Sequence, residues 1–375
     1  MFTLFIFSLL FIFYTFIGYP ALLYVRRRAH TVLLPESDVT DKTIDIVLVA
    51  CNEARNIRQK ITNLLAMQYP QNLFRIIVID DCSDDDTVEI VEGFSSDKIT
   101  LLRNQRRSGK AYGLNLAMQQ ATAELVFFVD ARQEITTNAL RDLSAWFKGD
   151  SKVGAVSGEL VLRTDDGVSS GIDFYSLYER FIRSTESVLG SVPGVSGAVY
   201  MLRRSLFMPI PEDTILDDVL IPMNALSAGY SVKYDPRVIA YDIPSNDMHR
   251  ERMRKIRTIK GNYQVLFRNL HWTIPFAHPA SFVYFSHKVT RLLAPFFALA
   301  SLCIALSFGF SGLMLGYLYA AGLVAFLCAY PACIQFPKLL QFKILRIASA
   351  FVALNWFNLL GFYEYCFGYR AKNWK

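Results

Sequence analysis

The sequence predicts an α/β domain, built on a parallel sheet and flanked by transmembrane helices. Three observations lead there. Short apolar runs alternate with helix-patterned stretches between residues 44 and 129. Charge is concentrated in the middle of the chain, and residues 2–25 and 292–337 carry none. The 375 residues are 53% hydrophobic and only 19% charged, against about 45–50% and 25% in soluble globular chains. That balance, with 14% aromatics, excludes a disordered chain, a coiled coil and a wholly soluble domain. The net charge of +6 averages a polar middle and two apolar ends.

The first apolar run covers residues 3–25 and meets Arg26-Arg27-Arg28. About 20 apolar residues cross a bilayer core. In a signal peptide the charges would precede the apolar stretch, whereas here they follow it. Residues 1–28 therefore read as an N-terminal transmembrane anchor, with the arginines on the cytoplasmic side. The uncharged stretch 292–337 is long enough to cross twice, with Ser311-Gly312 as its turn, and a third tail span runs from about Ile347 to Phe367. Arg370, Lys372 and Lys375 fall on the non-cytosolic side of that scheme. The tail helices are placed at 292–369. Residues 266–291, rich in aromatics, read as an interfacial segment or a plain loop.

Residues 29–43 read as a linker, and the soluble domain is placed at 44–265. Ile44–Ala50, Arg75–Asp80, Ile99–Arg103 and Leu125–Val129 read as strands. Ile57, Ile61, Leu64 and Leu65 fall at helical spacing, Ser83-Asp84-Asp85-Asp86 starts a helix, and Lys110–Ala121 reads as another. Such alternation builds a parallel sheet that binds ligands beyond the carboxyl ends of its strands. No G-x-G-x-x-G and no G-x-x-x-x-G-K-[ST] occurs, so a dinucleotide dehydrogenase and a P-loop enzyme are poorly supported. The six cysteines match neither a zinc site nor a disulfide framework, and Cys51 and Cys82 read as small reduced core residues.

Charged residues at strand ends and helix starts admit two readings each. Asp80-Asp81 suit either a nucleoside's donors or a turn. Asp130 suits a divalent metal bridging phosphates or a strand-end turn. Lys110, opening a helix after Ser108-Gly109, suits a phosphate or plain solvent. Asp217-Asp218 stand in the apolar run DTILDDVLIPM, where one carboxylate could serve as a general base or both could start a helix. The basic stretch 250–260 sets Arg250, Arg254 and Arg257 on one helix face, for a diphosphate or for anionic lipid. Pro193–Gly197 suits close approach of an acceptor or a tight turn. No basic–aromatic module accompanies the cations, so nucleic acid is not an expected partner.

The ordered run VLVACNEARNI, VIDDCSDDDT, SGKAYGLNLA, FFVDA, PGVSGAVYMLRR, LDD and RKIRTIKG resembles the membrane-embedded family 2 glycosyltransferases, relatives of cellulose, hyaluronan and poly-N-acetylglucosamine synthases. The resemblance implies a GT-A fold (Rossmann-like, of the nucleotide-diphospho-sugar transferases) and transfer of a sugar from a nucleotide diphosphate donor with inversion. It implies that Asp80, Asp81 and Lys110 bind the donor and that Asp130 holds a divalent cation, Mg²⁺ or Mn²⁺. It also implies that Asp218 is the general base and that Arg254, Lys255 and Arg257 hold the diphosphate.

Three positions depart from the family pattern. The D-x-D motif reads Asp130-Ala131-Arg132, which puts metal dependence in doubt and offers Arg132 as a direct phosphate partner. Asp217 stands in place of Glu. Thr258 replaces a Trp that offers processive synthases a stacking face. The expected function is single addition to a lipid-linked or envelope glycan acceptor, in the plasma (bacterial inner) membrane with the catalytic domain cytosolic and membrane lipid as a neighbour. The alternatives are a processive exopolysaccharide synthase and a non-catalytic scaffold of an envelope assembly complex.

Overall fold

The computed structural model describes the chain except residues 31–33, 38–39, 165–166, 169–173, 244–247, 277, 311–313 and 369–375. The turn expected at Ser311-Gly312 and the basic residues Arg370, Lys372 and Lys375 lie outside the described residues. The chain divides into two compact units, one comprising Arg26–Asn246 and Ile274–Val283, the other Met1–Val25, Asp247–Thr273 and Tyr284–Tyr369.

The first unit is built on a mixed sheet. Its strands are β1 (Ile44–Ala50), β2 (Phe74–Asp80), β3 (Ile99–Arg103), β4 (Leu125–Val129), β5 (Glu134–Ile135), β6 (Val153–Thr164), β7 (Gly167–Val168), β8 (Val199–Arg203) and β9 (Ser231–Asp242). Eight of them run in the order β3-β2-β1-β4-β8-β6-β9-β5, and β7 pairs with β6. The first four strands are parallel, as the alternation predicted. Beyond them β8 is antiparallel to both β4 and β6, and β5 is antiparallel to β9. The sheet is therefore mixed where the sequence suggested a parallel one. The strict strand–helix alternation that carried the expectation ends at β4; after it, β5 and β7 are two-residue strands, β6 and β7 follow one another with no helix between them, and β8 enters the sheet antiparallel.

β1 and β4 are buried along their whole lengths, as continuous apolar strands of a central sheet must be. Helices α2 (Ile57–Leu65), α3 (Thr87–Glu92), α4 (Lys110–Gln120), α5 (Ala139–Gly149), α6 (Phe174–Leu189) and α7 (Asp217–Ser227) belong to this unit. Ile57, Ile61 and Leu64 of α2 are fully buried with Ile46 and Leu48 of β1 in one core. α4 lies close on β1, because a Cβ at Gly113 would come within 2.7 Å of Val49 Cγ1.

The second unit holds long apolar helices. Among the described residues four helices are long and apolar enough to cross a membrane: α1 (Phe2–Arg27), α9 (Ser281–Gly309), α10 (Met314–Gln335) and α11 (Lys343–Phe367). The shortest has 22 residues, about 33 Å at helical rise against a hydrocarbon core of about 30 Å. α9 thus begins inside the stretch read as interfacial. Aromatic rings knit the unit: Phe11 lies 4.2 Å from Phe297, and Phe5 lies 5.2 Å from Tyr319, centroid to centroid. α1 and α9 each contain a wider π turn, at Tyr14–Gly18 and Phe285–Val289, and Tyr14 Oη meets Ser286 Oγ at 2.7 Å between them.

Helix α8 (Met248–Arg268) groups with these apolar helices rather than with the sheet. Tyr263 on α8 donates to Asn358 Oδ1 on α11 at 2.6 Å, and Asn358 Nδ2 donates to the Arg291 carbonyl at 2.8 Å. Buried polar groups in an apolar surrounding need such partners. A Cβ at Gly361 would lie 2.5 Å from Ile259 Cγ2, so α8 and α11 pack backbone-close there.

Candidate active site

The acids predicted at strand ends sit where a sheet of this kind presents its ligand face. β2 ends at Asp80 and β4 at Val129, one residue before Asp130. The loop after β2 is drawn back onto the loop after β1: Asn52 N–H donates to Ser83 Oγ at 3.0 Å, and Asp84 N–H donates to Asn52 Oδ1 at 3.0 Å. Asn52 and Cys82 both have positive φ, 56° and 58°. Asn tolerates that region through its short polar side chain, whereas Cys does so only because the loop holds it. Cys51 and Cys82 are partly exposed in this turn and free, which corrects the expectation of core residues. Burial pushes the Cys51 thiol up to about 11, so it stays protonated at neutral pH.

Asp80 is 3% exposed and its carboxylate accepts from Ser83 N–H at 3.2 and 3.3 Å. Asp81 is wholly buried. One of its oxygens accepts from Asn104 Nδ2 at 2.9 Å and Ser108 N–H at 2.8 Å, and the other accepts from Gly109 N–H at 2.7 Å. Asp81 thereby fixes the loop that delivers Lys110. Gly109, with φ of 94°, takes a conformation that a side chain would strain. Of the acidic run after it, Asp85 accepts from Thr87 N–H at 3.0 Å and Ala54 N–H at 3.1 Å, the helix-start role that the sequence suggested.

Lys110, the first residue of α4, points its ammonium into a cluster of acids. Nζ lies 2.9 Å from Asp130 Oδ1 and 3.2 Å from Asp217 Oδ2. Burial works against the charge, but the carboxylates of Asp130, Asp217 and Asp218 outweigh it and hold Lys110 well above the ordinary lysine range. It is therefore a fixed cation at any physiological pH. Asp217, the mild departure from the family pattern, proves to be half of this ion pair.

Asp217 and Asp218 open helix α7, the helix-start reading of that pair, since acids favour a helix N-terminus, and Asp217 also faces Lys110. Asp218 lies over the Pro193–Gly197 loop. A Cβ at Gly197 would come within 3.2 Å of Asp218 Oδ2, and Val195 N–H donates to the Asp218 carbonyl at 2.9 Å. Glycine at 197 is what lets the carboxylate settle so close to the backbone.

Arg132 does not reach for phosphate in this structure. Its guanidinium pairs with the buried carboxylate of Asp242 on β9, which also accepts from Gln133 Nε2 at 3.2 Å. The residues around Asp130 do not fit a divalent cation: the neighbouring positions are Ala131 and the paired Arg132, and Lys110 already lies on the carboxylate. Among the described residues no three His, Cys, Asp or Glu side chains gather to hold an ion. Arg254, Lys255 and Arg257 are exposed on α8 in the other unit, with Arg254 Nη1 3.4 Å from Glu251 Oε2. Thr258 is exposed there too and donates to the Arg254 carbonyl at 3.1 Å.

Three residues at the site escaped the sequence reading. Asn104 braces Asp81, and it is a lone polar residue past a strand end. Lys60 of α2 is 2% exposed and donates to the Gln133 carbonyl at 2.6 Å, just beyond Asp130. Its place on the apolar face, one residue before Ile61, was the available signal. Tyr200 of β8 is wholly buried beside the acids, the one hydroxyl in an apolar strand.

The sheet defines the class, a mixed α/β domain of GT-A-like fold. Residues 45–210 match the family Glycosyl transferase family 2. The chain is similar to the poly-beta-1,6-N-acetyl-D-glucosamine synthase of Staphylococcus epidermidis, 27% identical over 239 residues, which cover 62% of this chain and 57% of that protein. It is 26% identical over 247 residues to the synthase of the same description in Staphylococcus aureus, covering 64% of this chain and 60% of that one. The chain thus spans less than two thirds of the length of these curated relatives. Among solved structures it is similar to the mannosyltransferase PcManGT from Pyrobaculum calidifontis, in complex with GDP-Man and Mn²⁺. The TM-score is 0.73 at 22% identity, over 97% of this chain and 99% of that one.

Proposed function

We propose that this chain is an inverting glycosyltransferase that moves a sugar from a nucleotide-diphosphate donor to a lipid-linked or envelope glycan acceptor. The observation that carries this reading is the Lys110 ammonium held between Asp130 and Asp217 at the strand ends, with Asp218 next in the chain. One fixed cation and a carboxylate beside it are the two groups that such a transfer asks of a protein.

In the transfer, an acceptor hydroxyl attacks the anomeric carbon from the face opposite the leaving group. The new C–O bond forms as the bond to the diphosphate breaks, and the electron pair leaves with the diphosphate. Asp218 accepts the hydroxyl proton, a step that typically contributes about 10²–10⁴-fold. Lys110 offsets charge growing on the diphosphate, an electrostatic contribution of similar or larger size. Asp80 and Asp81 shape the wall for the nucleoside, Asp81 by anchoring the loop that carries Lys110. Arg254, Lys255 and Arg257 are assigned to the diphosphate on the sequence motif.

The four apolar helices support work at a membrane, and the Arg26–Arg28 flank favours the cytosolic side for the catalytic unit. Single addition is favoured over processive synthesis because Thr258 offers no aromatic face. The likeness to two poly-N-acetylglucosamine synthases favours the second reading, and long polymer made from one donor by purified protein would establish it.

The reading is tested by melting the purified full chain with a panel of nucleotide sugars that includes GDP-mannose and a donor of N-acetylglucosamine, with and without Mn²⁺. One nucleotide sugar should raise the melting temperature and be hydrolysed slowly. No stabilisation and no hydrolysis across the panel would leave the scaffold reading in its place.

A further inference from the structure

Tyr200 lies opposite Phe128 in the antiparallel pairing of β8 with β4, and the two rings stack with centroids 4.8 Å apart. Phe207 also stacks with Phe128, at 6.2 Å between centroids. Residues directly opposed across an antiparallel pair share a face of the sheet. Asp130 follows Phe128 by two positions, so the phenol stands at the floor of the acidic cluster. The Tyr200 hydroxyl is buried and makes no hydrogen bond to any described residue. Asp217 Oδ2 is also buried and accepts no hydrogen bond, its partner being the Lys110 ammonium at 3.2 Å. A donor without a hydrogen-bond partner and a carboxylate oxygen held by an ion pair, both out of water, thus occupy one cluster.

The phenol is a neutral donor there. Burial, and then the charges of Asp217, Asp218 and Asp130, hold it far above the ordinary tyrosine range. A phenylalanine would stack on Phe128 as well and would spare the desolvation of a hydroxyl. The ring therefore does not account for the oxygen.

We propose that Tyr200 is a positioning residue for the Asp217–Asp218 pair, donating its hydrogen bond to Asp217 when a donor diphosphate draws the Lys110 ammonium away. Lys110 carries one charge and serves two carboxylates. A diphosphate competes for that charge, and Asp217 is then a buried carboxylate stripped of its counter-charge, a costly state. The phenolic O–H supplies a charge-assisted hydrogen bond in its place. Asp217 and Asp218 are consecutive at the start of α7, so holding the first keeps the second aimed. The inference rests on the roles proposed above for Lys110 and Asp218.

The test compares the full-length wild type with Tyr200→Phe, using GDP-mannose and UDP-N-acetylglucosamine as probes and release of the nucleoside diphosphate as the readout. The variant should melt at or above the wild-type temperature without ligand, since it loses only an unsatisfied group. Its KM for the donor should stay within about twofold, while kcat falls about ten- to a hundredfold, the scale of a misplaced catalytic group. The acid limb of its kcat profile should move to higher pH, because a carboxylate deprived of a hydrogen-bond donor takes a proton more readily. Unchanged kcat and an unchanged acid limb would overturn the inference. So would a fall in melting temperature that accompanies the lost turnover, since the hydroxyl would then be a structural prop. Turnover by the wild type with an indifferent Tyr200→Phe sinks the inference alone; a wild type that neither binds nor turns over either probe, nor any other nucleotide sugar, sinks the functional reading and the inference together.

Discussion

Lys60 shows how one buried residue can tie stability to pH beside the site. Among the described residues one acceptor holds it, the Gln133 carbonyl, where an ammonium can use three. Burial pushes it down to about 7 against the opposing pull of Asp130 and Glu134. The folded protein gives up that proton near neutrality, whereas the unfolded chain keeps it to the ordinary lysine value of about 10.4. Between those points the unfolded state binds more protons, so stability rises with pH, and below neutrality the full cost of the buried charge is felt. Lys60→Met removes the titration. The stability of the wild type relative to Lys60→Met should rise by up to about 1.4 kcal/mol per pH unit between about pH 7 and 9. Denaturation of both proteins across that range measures it, and a pH-independent difference would contradict the assignment.

At the scale of elements, the site depends on loops that follow strands and are clasped to each other. Asp81 takes the two successive backbone N–H groups of Ser108 and Gly109 just before α4 begins. Replacing it by Asn puts an amide N–H₂ against one of those donors. Asp81→Asn should cost about 1.5–3 kcal/mol, the range for a hydrogen bond to a charged group, and should weaken donor binding through Lys110. Chemical denaturation and nucleotide titration of the same sample would register both. β3 and β4 were legible in the sequence to the residue, β4 as a continuous apolar run that suits a buried strand and β3 as a short, half-exposed run at the sheet edge. The Lys110–Asp130–Asp217 cluster was legible only as separate residues. Asp130 and Asp217 are brought together by β8, whose antiparallel insertion beside β4 depends on long-range pairing that no local pattern records. The pairing of Arg132 with Asp242 was invisible for the same reason, being set by β9, 110 residues along the chain.

For the whole molecule, the apolar ends and the polar middle announced two environments, and the helices follow that division. The exception is α8, whose cationic sequence read as part of the soluble domain but whose buried face, with Ile256 and Tyr263, packs among apolar helices. A helix with charge on one side and an apolar stripe on the other belongs by sequence to either environment. The four apolar helices should keep the chain in the membrane fraction through alkaline carbonate washing, and release by that treatment would contradict their spanning. The account as a whole claims that an activated sugar is held at the strand ends and that Asp218 takes the acceptor's proton. The most direct measurement is sugar transfer and donor binding by the purified Asp218→Asn protein beside the wild type. Donor affinity should be unchanged and transfer reduced by at least about a hundredfold; transfer at the wild-type rate would contradict the claim.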